Sequence, residues 1–489
     1  MRKILFIYPR LGYMDAQRNK PAPPLSILAA VSFLKETYDI TILDQRLFAS
    51  DKLFYAQLHS ALQEQPLYAG LSVYSGGMIK FALEISRYIK ETTSVPVVWG
   101  GIHPTLLPEQ TLENNYIDYV IQGEGERTLP EFSDMLALHG PNLPPVKGVW
   151  VKKEGLMTYG GDRDFLDLQT MPAIPYDLVD FNHYIQYYHG KKYVYYQASR
   201  GCPRHCRYCY NHVFNKGRFR AQPADKIVSE IKALAEKHPS FNGVFFVDDN
   251  IFAMGKDYMI ALGKGLNALG LSWAVQGSDI MALKEYTEND FQFLETCGLT
   301  RLTIGVESAS EKIRSLIGKA GTAADIEQVM ARLSKTNILI WCSYVISLPG
   351  ETIDDLRESI RLIFRLQQIN KNVRNSPFYM YIPFSGTPLY EQYKEVFPGP
   401  QTLEEWGNVG WEREHTNSFA DYLKDTHFFQ SLFLTSLLDD NKVSDFSANK
   451  FFVFLANCYR PVARWRLKNL FFNFNVELFM FKKFFPDIF

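Results

Sequence analysis

The sequence predicts an α/β chain in four parts. These are an N-terminal Rossmann-like, doubly wound domain over residues 1–140, a hairpin and linker over 141–190, a central partial (β/α)6 TIM-type barrel over 191–395, and a helical, aromatic and basic cap over 396–489. Three observations carry this expectation. Strand-like and helix-like stretches alternate in two series, a proline-rich interval separates the series, and the pattern after about residue 400 is helical throughout. A chain of 489 residues also exceeds what one ordinary core holds.

In the first series "KILFIYP" reads as a buried strand, "LSILAAVSFLKETY" as an amphipathic helix and "DITILD" as a second strand. "LYAGLSVYS", "VPVVWGG" and "IDYVIQGEGE" continue as strands. Such alternation implies crossovers and a parallel sheet, whose ligand sits outside the carboxyl ends of the strands. Those ends read Tyr8-Pro9, Ser72 to Gly77 (with Tyr74, Ser75 and Gly76), Gly100-Gly101-Ile102-His103-Pro104 and Gly123-Glu124-Gly125-Glu126. Glycines there either make tight turns or let backbone approach a flat ligand, and their recurrence favours the ligand. No G-x-G-x-x-G follows the first strand, which argues against an ordinary nicotinamide or flavin site.

The interval with "GPNLPP" and "MPAIPYD" reads as hairpin and linker. The second series then offers "YVYYQAS", "GVFFVDD", "SWAVQGS", "RLTIGVES", "ILIWCSYVISLPG" and "SPFYMYIPF" as strands, six units where a closed barrel has eight. Polar groups at the carboxyl ends of such strands reach a central ligand, and a cysteine cluster falls just after the first of them.

Composition excludes several classes. Hydrophobic residues make up 46% and charged residues 21%, as in globular proteins. Lys plus Arg is 52 against 53 for Asp plus Glu, so no global field favours nucleic acid. Six cysteines in so long a chain do not form a secreted disulfide framework, and a reducing, cytoplasmic setting is expected. The opening apolar run stops at Pro9, too short for a signal-peptide core, and no stretch approaches the roughly 20 apolar residues of a membrane span.

"SRGCPRHCRYCYN" packs Cys202, Cys206 and Cys209 into a loop bounded by Gly201 and Pro203. Three thiolates suit an iron–sulfur cluster with one iron left open, or zinc with His205 or His212 as fourth ligand. An exposed Gly/Arg-flanked loop is a poor place for inert buried thiols. Cys297, Cys342 and Cys458 are far apart with apolar neighbours and read as buried core residues.

The C-x3-C-x2-C loop, with Tyr208 before its last cysteine, resembles the motif of the radical S-adenosylmethionine superfamily. "FFVDDNIF", "IGVES", "VISLPGET" and "YIPFSGTPLY" resemble that superfamily's later strand motifs, in the expected order. "PPLSILAAVSFLKETYDITILD" and "VPVVWGGIHPTLLPEQTLENNYIDYVIQGEGERTLPEF" resemble the cobalamin-binding domain preceding the barrel in one subfamily. The resemblance covers about residues 1 to 390.

It implies a [4Fe-4S] cluster held by Cys202, Cys206 and Cys209. It also implies S-adenosylmethionine surrounded by Tyr208, Asp248, Ser278, Glu307, Pro349 and Gly350, with Glu307 accepting from the cofactor's ammonium group. For Asp248-Asp249 and for Glu307-Ser308 the alternative is a helix cap. Cobalamin is implied at Ser72, Tyr74, Ser75, Gly76, Gly100, Gly101, His103, Gly123, Glu124 and Gly125. The D-x-H-x-x-G motif is absent, which implies cobalamin without a histidine lower ligand, its lower face shielded by the loop Ser72 to Gly77. His103 is the rival ligand, or a simple turn histidine.

The resemblance further implies anaerobic radical chemistry. A 5′-deoxyadenosyl radical removes hydrogen from an unactivated carbon, and methylcobalamin then donates methyl to that carbon. Similar two-domain proteins instead form or contract rings or insert oxygen. The expected partners are a small, hydrophobic substrate (a lipid, isoprenoid, tetrapyrrole or natural-product precursor) and a flavodoxin- or ferredoxin-like electron donor, with no nucleic acid. The tail, "CYRPVARWRLKNLFFNFNVELFMFKKFF", is either a cap packed on the barrel or a surface that meets the inner face of the membrane.

Overall fold

A computed structural model describes the chain apart from residues 13–14, 16–19, 154, 189, 410–418, 424, 440–449, 475 and 485–489. The chain forms two compact units, one of Met1–Gln186 with Pro400–Val409, the other of Tyr187–Gly399 with Gly410–Phe489.

The first unit is a seven-stranded sheet. Its strands are β1 (Lys3–Tyr8), β2 (Asp39–Asp44), β3 (Ala69–Ser72), β4 (Val97–Gly100), β5 (Tyr119–Ile121), β6 (Val149–Lys153) and β7 (Leu156–Tyr159). They lie in the order β2-β1-β3-β4-β5-β6-β7, the first five parallel. The hairpin foreseen after residue 140 is β6–β7, and it extends this sheet by pairing antiparallel with β5.

β1 explains why helices cover both faces. Ile4, Phe6 and Tyr8 join one core cluster with Ile27 of α1 (Leu25–Ala30) and with Leu129 and Phe132 of α4 (Thr128–His139). The alternate residues Leu5 and Ile7 are buried as well, so the opposite face is also covered. Between these helices in the chain come α2 (Asp51–Gln63) and α3 (Met78–Thr92), which bury Phe54, Leu58, Ile85 and Ile89. Strand order reverses beside β1, and in such sheets the crevice at the reversal takes the ligand.

The second unit has its own seven-stranded sheet. After β8 (Gln186–Tyr188) and β9 (Lys191–Tyr196), a short antiparallel pair β10 (Ser199–Arg200) and β11 (Arg220–Ala221) stands apart. The sheet continues with β12 (Gly243–Phe246), β13 (Ser272–Ser278), β14 (Leu299–Glu307), β15 (Leu339–Ile346) and β16 (Val373–Met380). From β9 to β16 its six main strands are parallel and adjacent in chain order, a curled half-barrel rather than a closed one.

Helices α5 (Ala224–Lys237), α6 (Lys256–Ala268), α7 (Glu288–Thr296), α8 (Ala323–Leu333) and α9 (Ile353–Ile369) fall between successive strands. Three of them start at a capping box legible in the sequence. Thr287, Thr322 and Thr352 each cap a backbone N–H three residues on, where Asp290, Asp325 or Asp355 reciprocates.

The tail forms α10 (Thr426–Asp439), α11 (Lys450–Asn469) and α12 (Val476–Phe484). α10 packs on β16 and carries α11 and α12. A buried ion pair locks α11 to α12, with Arg466 Nε 2.7 Å from Glu477 Oε1. The same carboxylate accepts from Thr435 and Tyr459, each at 3.0 Å, which satisfies a charge that would otherwise be costly to bury.

Candidate functional site

The cysteine loop leaves β9 through β10. Gly201 has φ +83°, and a Cβ there would lie 1.9 Å from the Arg218 carbonyl oxygen, so only glycine lets the loop cross the β10–β11 pair. Cys209 N–H donates to the Cys206 carbonyl at 3.1 Å and Arg207 N–H to the Ile317 carbonyl at 2.8 Å, which curls the loop and ties it to the turn that ends the short helix Glu311–Leu316. Cys206 is buried, and Cys202 and Cys209 are half-buried.

Side-chain amides face two of the sulfurs. Asn250 Nδ2 lies 3.5 Å from Cys202 Sγ and Asn211 Nδ2 lies 3.6 Å from Cys209 Sγ. Burial pushes all three thiols up, Cys209 to about 12. Thiolates here therefore call for a cation, and amide donors to sulfur are the setting that iron–sulfur clusters use. Among the described residues no three His, Cys, Asp or Glu side chains converge on one ion position. A four-iron cluster takes one thiolate at each of three corners. The cysteine set fits the cluster.

The carboxylates after β12 hold this loop. Asp248 accepts from Ala198 N–H at 3.1 Å and from Ser199 Oγ at 2.5 Å. Burial pushes its carboxyl up to about 7, against the lowering effect of those bonds. Asp249 accepts from Tyr210 Oη at 2.7 Å and Gly201 N–H at 3.2 Å. Neither oxygen set caps the following turn, whose N-cap Asn250 makes no side-chain cap bond. Asn250 also donates to Asp279 at 2.5 Å, and Asp279 pairs with Arg204 at 3.1 Å, so the strand ends of β12 and β13 are wired to the cysteine loop.

Glu307 ends β14 in the left-handed region, φ +68°, beside a register shift between Gly305 and Glu307. The irregularity turns its side chain back over Gly305, where a Cβ would come within 2.4 Å of Glu307 Oε1 and 2.9 Å of Lys319 Nζ. Lys319 lies 3.5 Å from Glu307, both nearly buried. Burial lowers the Lys319 pKa, but Glu307 and then Cys206 outweigh it and hold the ammonium charged. Tyr208 is pushed well up, chiefly by burial and then by the Glu307 charge. The Glu307 carboxylate and the Lys319 ammonium thus lie beside the thiol loop, which itself carries the Tyr208 phenol between its last two cysteines.

Of the other foreseen residues, Ser278 closes β13 with its hydroxyl on the Thr303 carbonyl at 2.7 Å. Pro349 and Gly350 turn the chain after β15. A Cβ on Gly350 would meet nothing within 4 Å, and φ there is +69°. Glu351, just beyond, accepts from Leu348 N–H at 3.1 Å, and burial pushes it up to about 8. Cys297 and Cys342 are core residues as expected, whereas Cys458 is exposed on α11 because it lies on that helix's outer face.

In the first unit the Gly-rich turns stand at the ends of β3, β4 and β5. Ser72 Oγ shares a bond with Ser26 Oγ at 2.8 Å, and Tyr74 packs edge-on against Tyr8. Gly101 has φ +105°, and a Cβ there would come within 2.9 Å of the Val73 backbone, which brings the β3 and β4 turns together. Gly123 N–H donates to Thr105 at 3.0 Å and a Cβ on it would meet nothing within 4 Å, while Glu124 accepts from Leu166 N–H at 2.9 Å. Gly100 and Gly125 lie against Ile121 and Ala30. His103 is fully buried, and burial pushes it down to about 3, so its imidazole is neutral. Its Nδ1 pairs with Ser75 Oγ at 3.0 Å while its Nε2 has no protein partner. Open glycine backbone beside an unpartnered buried nitrogen fits a large planar cofactor carrying its own polar groups.

Sequence reading missed Lys319, Asp249 as a loop clamp, Asp279 and the residues 400–409 that join the first unit. Lys319 follows a six-residue helix rather than ending a strand, and pairing across a turn leaves no periodic signal.

Residues 196–363 match the family profile described as the radical SAM superfamily, and residues 16–133 match the B12 binding domain. An uncharacterised methyltransferase of Pyrococcus horikoshii is 25% identical over 80% of this chain and 83% of its own. The anaerobic magnesium-protoporphyrin IX monomethyl ester cyclase of Cereibacter sphaeroides is 25% identical over 80% of this chain and 64% of its own. The bacteriochlorophyllide d C-12(1)-methyltransferase of Chlorobaculum tepidum is 24% identical over 81% and 79%. Among solved structures, the cobalamin-dependent radical enzyme OxsB covers all of this chain with TM-score 0.71 and 15% identity, over 75% of its own length. The methyltransferase TsrM of Kitasatospora setae, solved with cobalamin and a [4Fe-4S] cluster, covers 81% of this chain and 75% of its own with TM-score 0.64 and 19% identity. These structures share the fold.

Proposed function

From a chain that belongs to the radical S-adenosylmethionine enzymes carrying a B12-binding domain, we propose a C-methyltransferase acting on an unactivated carbon of a hydrophobic substrate. The observation that carries it is the three-cysteine loop at the strand ends of one unit, in a chain whose other unit offers open glycine turns to a corrin. When bound, the cofactors supply a 5′-deoxyadenosyl radical and a transferable methyl group. The chain's own residues divide the remaining work. Cys202, Cys206 and Cys209 hold the cluster, and Asp248 and Asp249 fix their loop. Glu307 would accept from the ammonium group of S-adenosylmethionine, and Lys319 would complement its carboxylate. Ser278, Pro349 and Gly350 form the surrounding strand ends. Ser72 to Gly77, Gly100-Gly101 and Gly123 to Gly125 would cradle cobalamin, on the reading that no histidine ligates its cobalt.

The substrate reading rests on the tail. Phe454, Trp465 and Phe479 are more than half exposed on α11 and α12, and these helices present basic residues beside them. Among the described residues no helix is long and apolar enough to cross a membrane. Contact with lipid would therefore be peripheral, at the cytoplasmic face. A ring-forming or rearranging activity is the second reading, favoured by the cyclase relative named above.

The test uses anaerobically reconstituted protein with cobalamin, a flavodoxin or chemical reductant, a lipid extract and S-adenosylmethionine with a deuterated methyl group. Methylation predicts a labelled lipid, with 5′-deoxyadenosine and S-adenosylhomocysteine formed in equal amounts. Substrate-dependent 5′-deoxyadenosine without S-adenosylhomocysteine overturns methyl transfer in favour of cyclisation or rearrangement.

A further inference from the structure

His103 is the only imidazole in the Gly-rich turns of the first unit, and it is confined on several sides. Ser75 Oγ holds Nδ1 at 3.0 Å, and the backbone N–H donates to the Val73 carbonyl at 3.1 Å. The ring of Trp406 stands edge-on to it, with centroids 5.4 Å apart and planes at 67°. Trp406 arrives from far along the chain, on a short helix, Leu403–Trp406, capped by Thr402. That segment is fastened to the first unit. Gln110 Nε2 donates to the Gln401 carbonyl at 2.9 Å, and a Cβ on Gly76 would come within 2.9 Å of the Val409 carbonyl. The returning segment therefore presses on the same Ser72–Gly77 turn that contacts His103.

Two buried nitrogens remain without protein partners, His103 Nε2 and Trp406 Nε1. A neutral imidazole with a free Nε2 is what a transition metal binds, and a second hydrogen bond at Nδ1 normally strengthens such a ligand. Here the other ring nitrogen is held by Ser75, as in a metal-bound histidine, yet no face of the ring is open. We propose that Trp406 is a positioning residue that pins His103 away from cobalt, so that the segment 400–409 sets the coordination of the bound cobalamin. The inference rests on the reading of cobalamin without a histidine lower ligand.

Electron paramagnetic resonance of the cob(II)alamin-loaded full chain tests it. An axial ¹⁴N ligand splits each cobalt line into three, and ¹⁵N into two. Wild-type protein and Trp406→Phe are expected to show no histidine splitting. Trp406→Ala is expected to show the triplet, converted to a doublet by ¹⁵N-histidine labelling and abolished in the Trp406→Ala, His103→Ala double variant. Trp406→Leu, which leaves a smaller apolar plug, is expected to show the triplet in part of the sample, and it decides the matter if Trp406→Ala fails to retain cobalamin. A histidine doublet in labelled wild type overturns both the histidine-free reading and the pin. No histidine splitting in wild type, Trp406→Ala or Trp406→Leu leaves the histidine-free reading standing and overturns the role of Trp406.

Discussion

Lys319 Nζ lies 3.5 Å from Glu307 Oε1, each side chain nearly buried, at the end of the strand that faces the three cysteines. The distance is long for a charge-assisted hydrogen bond, and the pair is loosely engaged rather than closed. An amino acid group with opposite charges at its two ends complements it, ammonium to Glu307 and carboxylate to Lys319. Removing one member leaves the other charge buried and uncompensated. Lys319→Met is therefore expected to weaken S-adenosylmethionine binding by tenfold or more, on the order of 1.5–3 kcal/mol. Equilibrium binding to the reconstituted, oxidised cluster reads this without turnover. Unchanged affinity would remove Lys319 from the site.

Asp248 holds the segment that leads into the cysteine loop. Its carboxylate gathers the Ala198 N–H and the Ser199 hydroxyl, and an amide in its place keeps one accepting oxygen but turns donors toward donors. Asp248→Asn is expected to reconstitute with less than half the wild-type iron and sulfide and to lower thermal stability by about 1–3 kcal/mol. Full iron content together with weakened S-adenosylmethionine binding would instead make Asp248 a cofactor contact.

What the sequence disclosed and what it hid divide along physical lines. Buried strands such as "KILFIYP" and "GVFFVDD" are continuous apolar runs closed by small polar residues, so the strands of both sheets and the turns that close them are legible in the sequence. The cysteine triad was readable because its spacing is local. Pairings set by tertiary folding left no local mark. Asp248 looked like a cofactor contact or a cap, yet its partners Ala198 and Ser199 lie about fifty residues earlier in the chain. Trp406 sits in a segment read as part of the cap, and contacts distant in the chain, of Gln401 with Gln110, Val409 with Gly76 and Trp406 with His103, assign that segment to the first unit. Cys458 was misread because α11 turns an apolar face outward, where composition alone suggests a core.

His103 gives stability a pH dependence of definite sign. Its folded-state pKa lies near 3 against 6.5 in the unfolded chain, so the unfolded state binds the proton first as pH falls. The contribution is complete above about 6.5 and is lost progressively as pH falls toward 3. Linkage gives about 2 kcal/mol lost by pH 5 from this group. Thermal unfolding of the cobalamin-free protein between pH 8 and 5 checks it. His103→Gln is expected to flatten that part of the profile, and an equally steep fall in the variant would place the titration elsewhere.

The outer face of α11 and α12 bears on where the protein works. Phe454, Val462 and Trp465 recur at helical spacing along α11, and Phe479 continues the exposed aromatics on α12. From Lys450 to Phe484 the sequence has seven basic residues and one acid, Glu477, which is buried against Arg466. Lys450, Lys468, Lys482 and Lys483 are exposed there with no exposed carboxylate between Lys450 and Phe484, so the face complements an anionic surface in charge as well as in apolarity. The full-length protein is expected to cosediment with vesicles containing phosphatidylglycerol and only weakly with phosphatidylcholine alone, and to lose affinity as salt rises. The double change Trp465→Ser and Phe479→Ser is expected to weaken binding at least tenfold without altering the melting temperature, because both side chains project from the packed bundle. Binding that ignores lipid charge would leave an apolar contact without the electrostatic part. No binding to either vesicle, with a concentration-dependent dimer abolished by the same double change, would assign the face to a second copy of the chain.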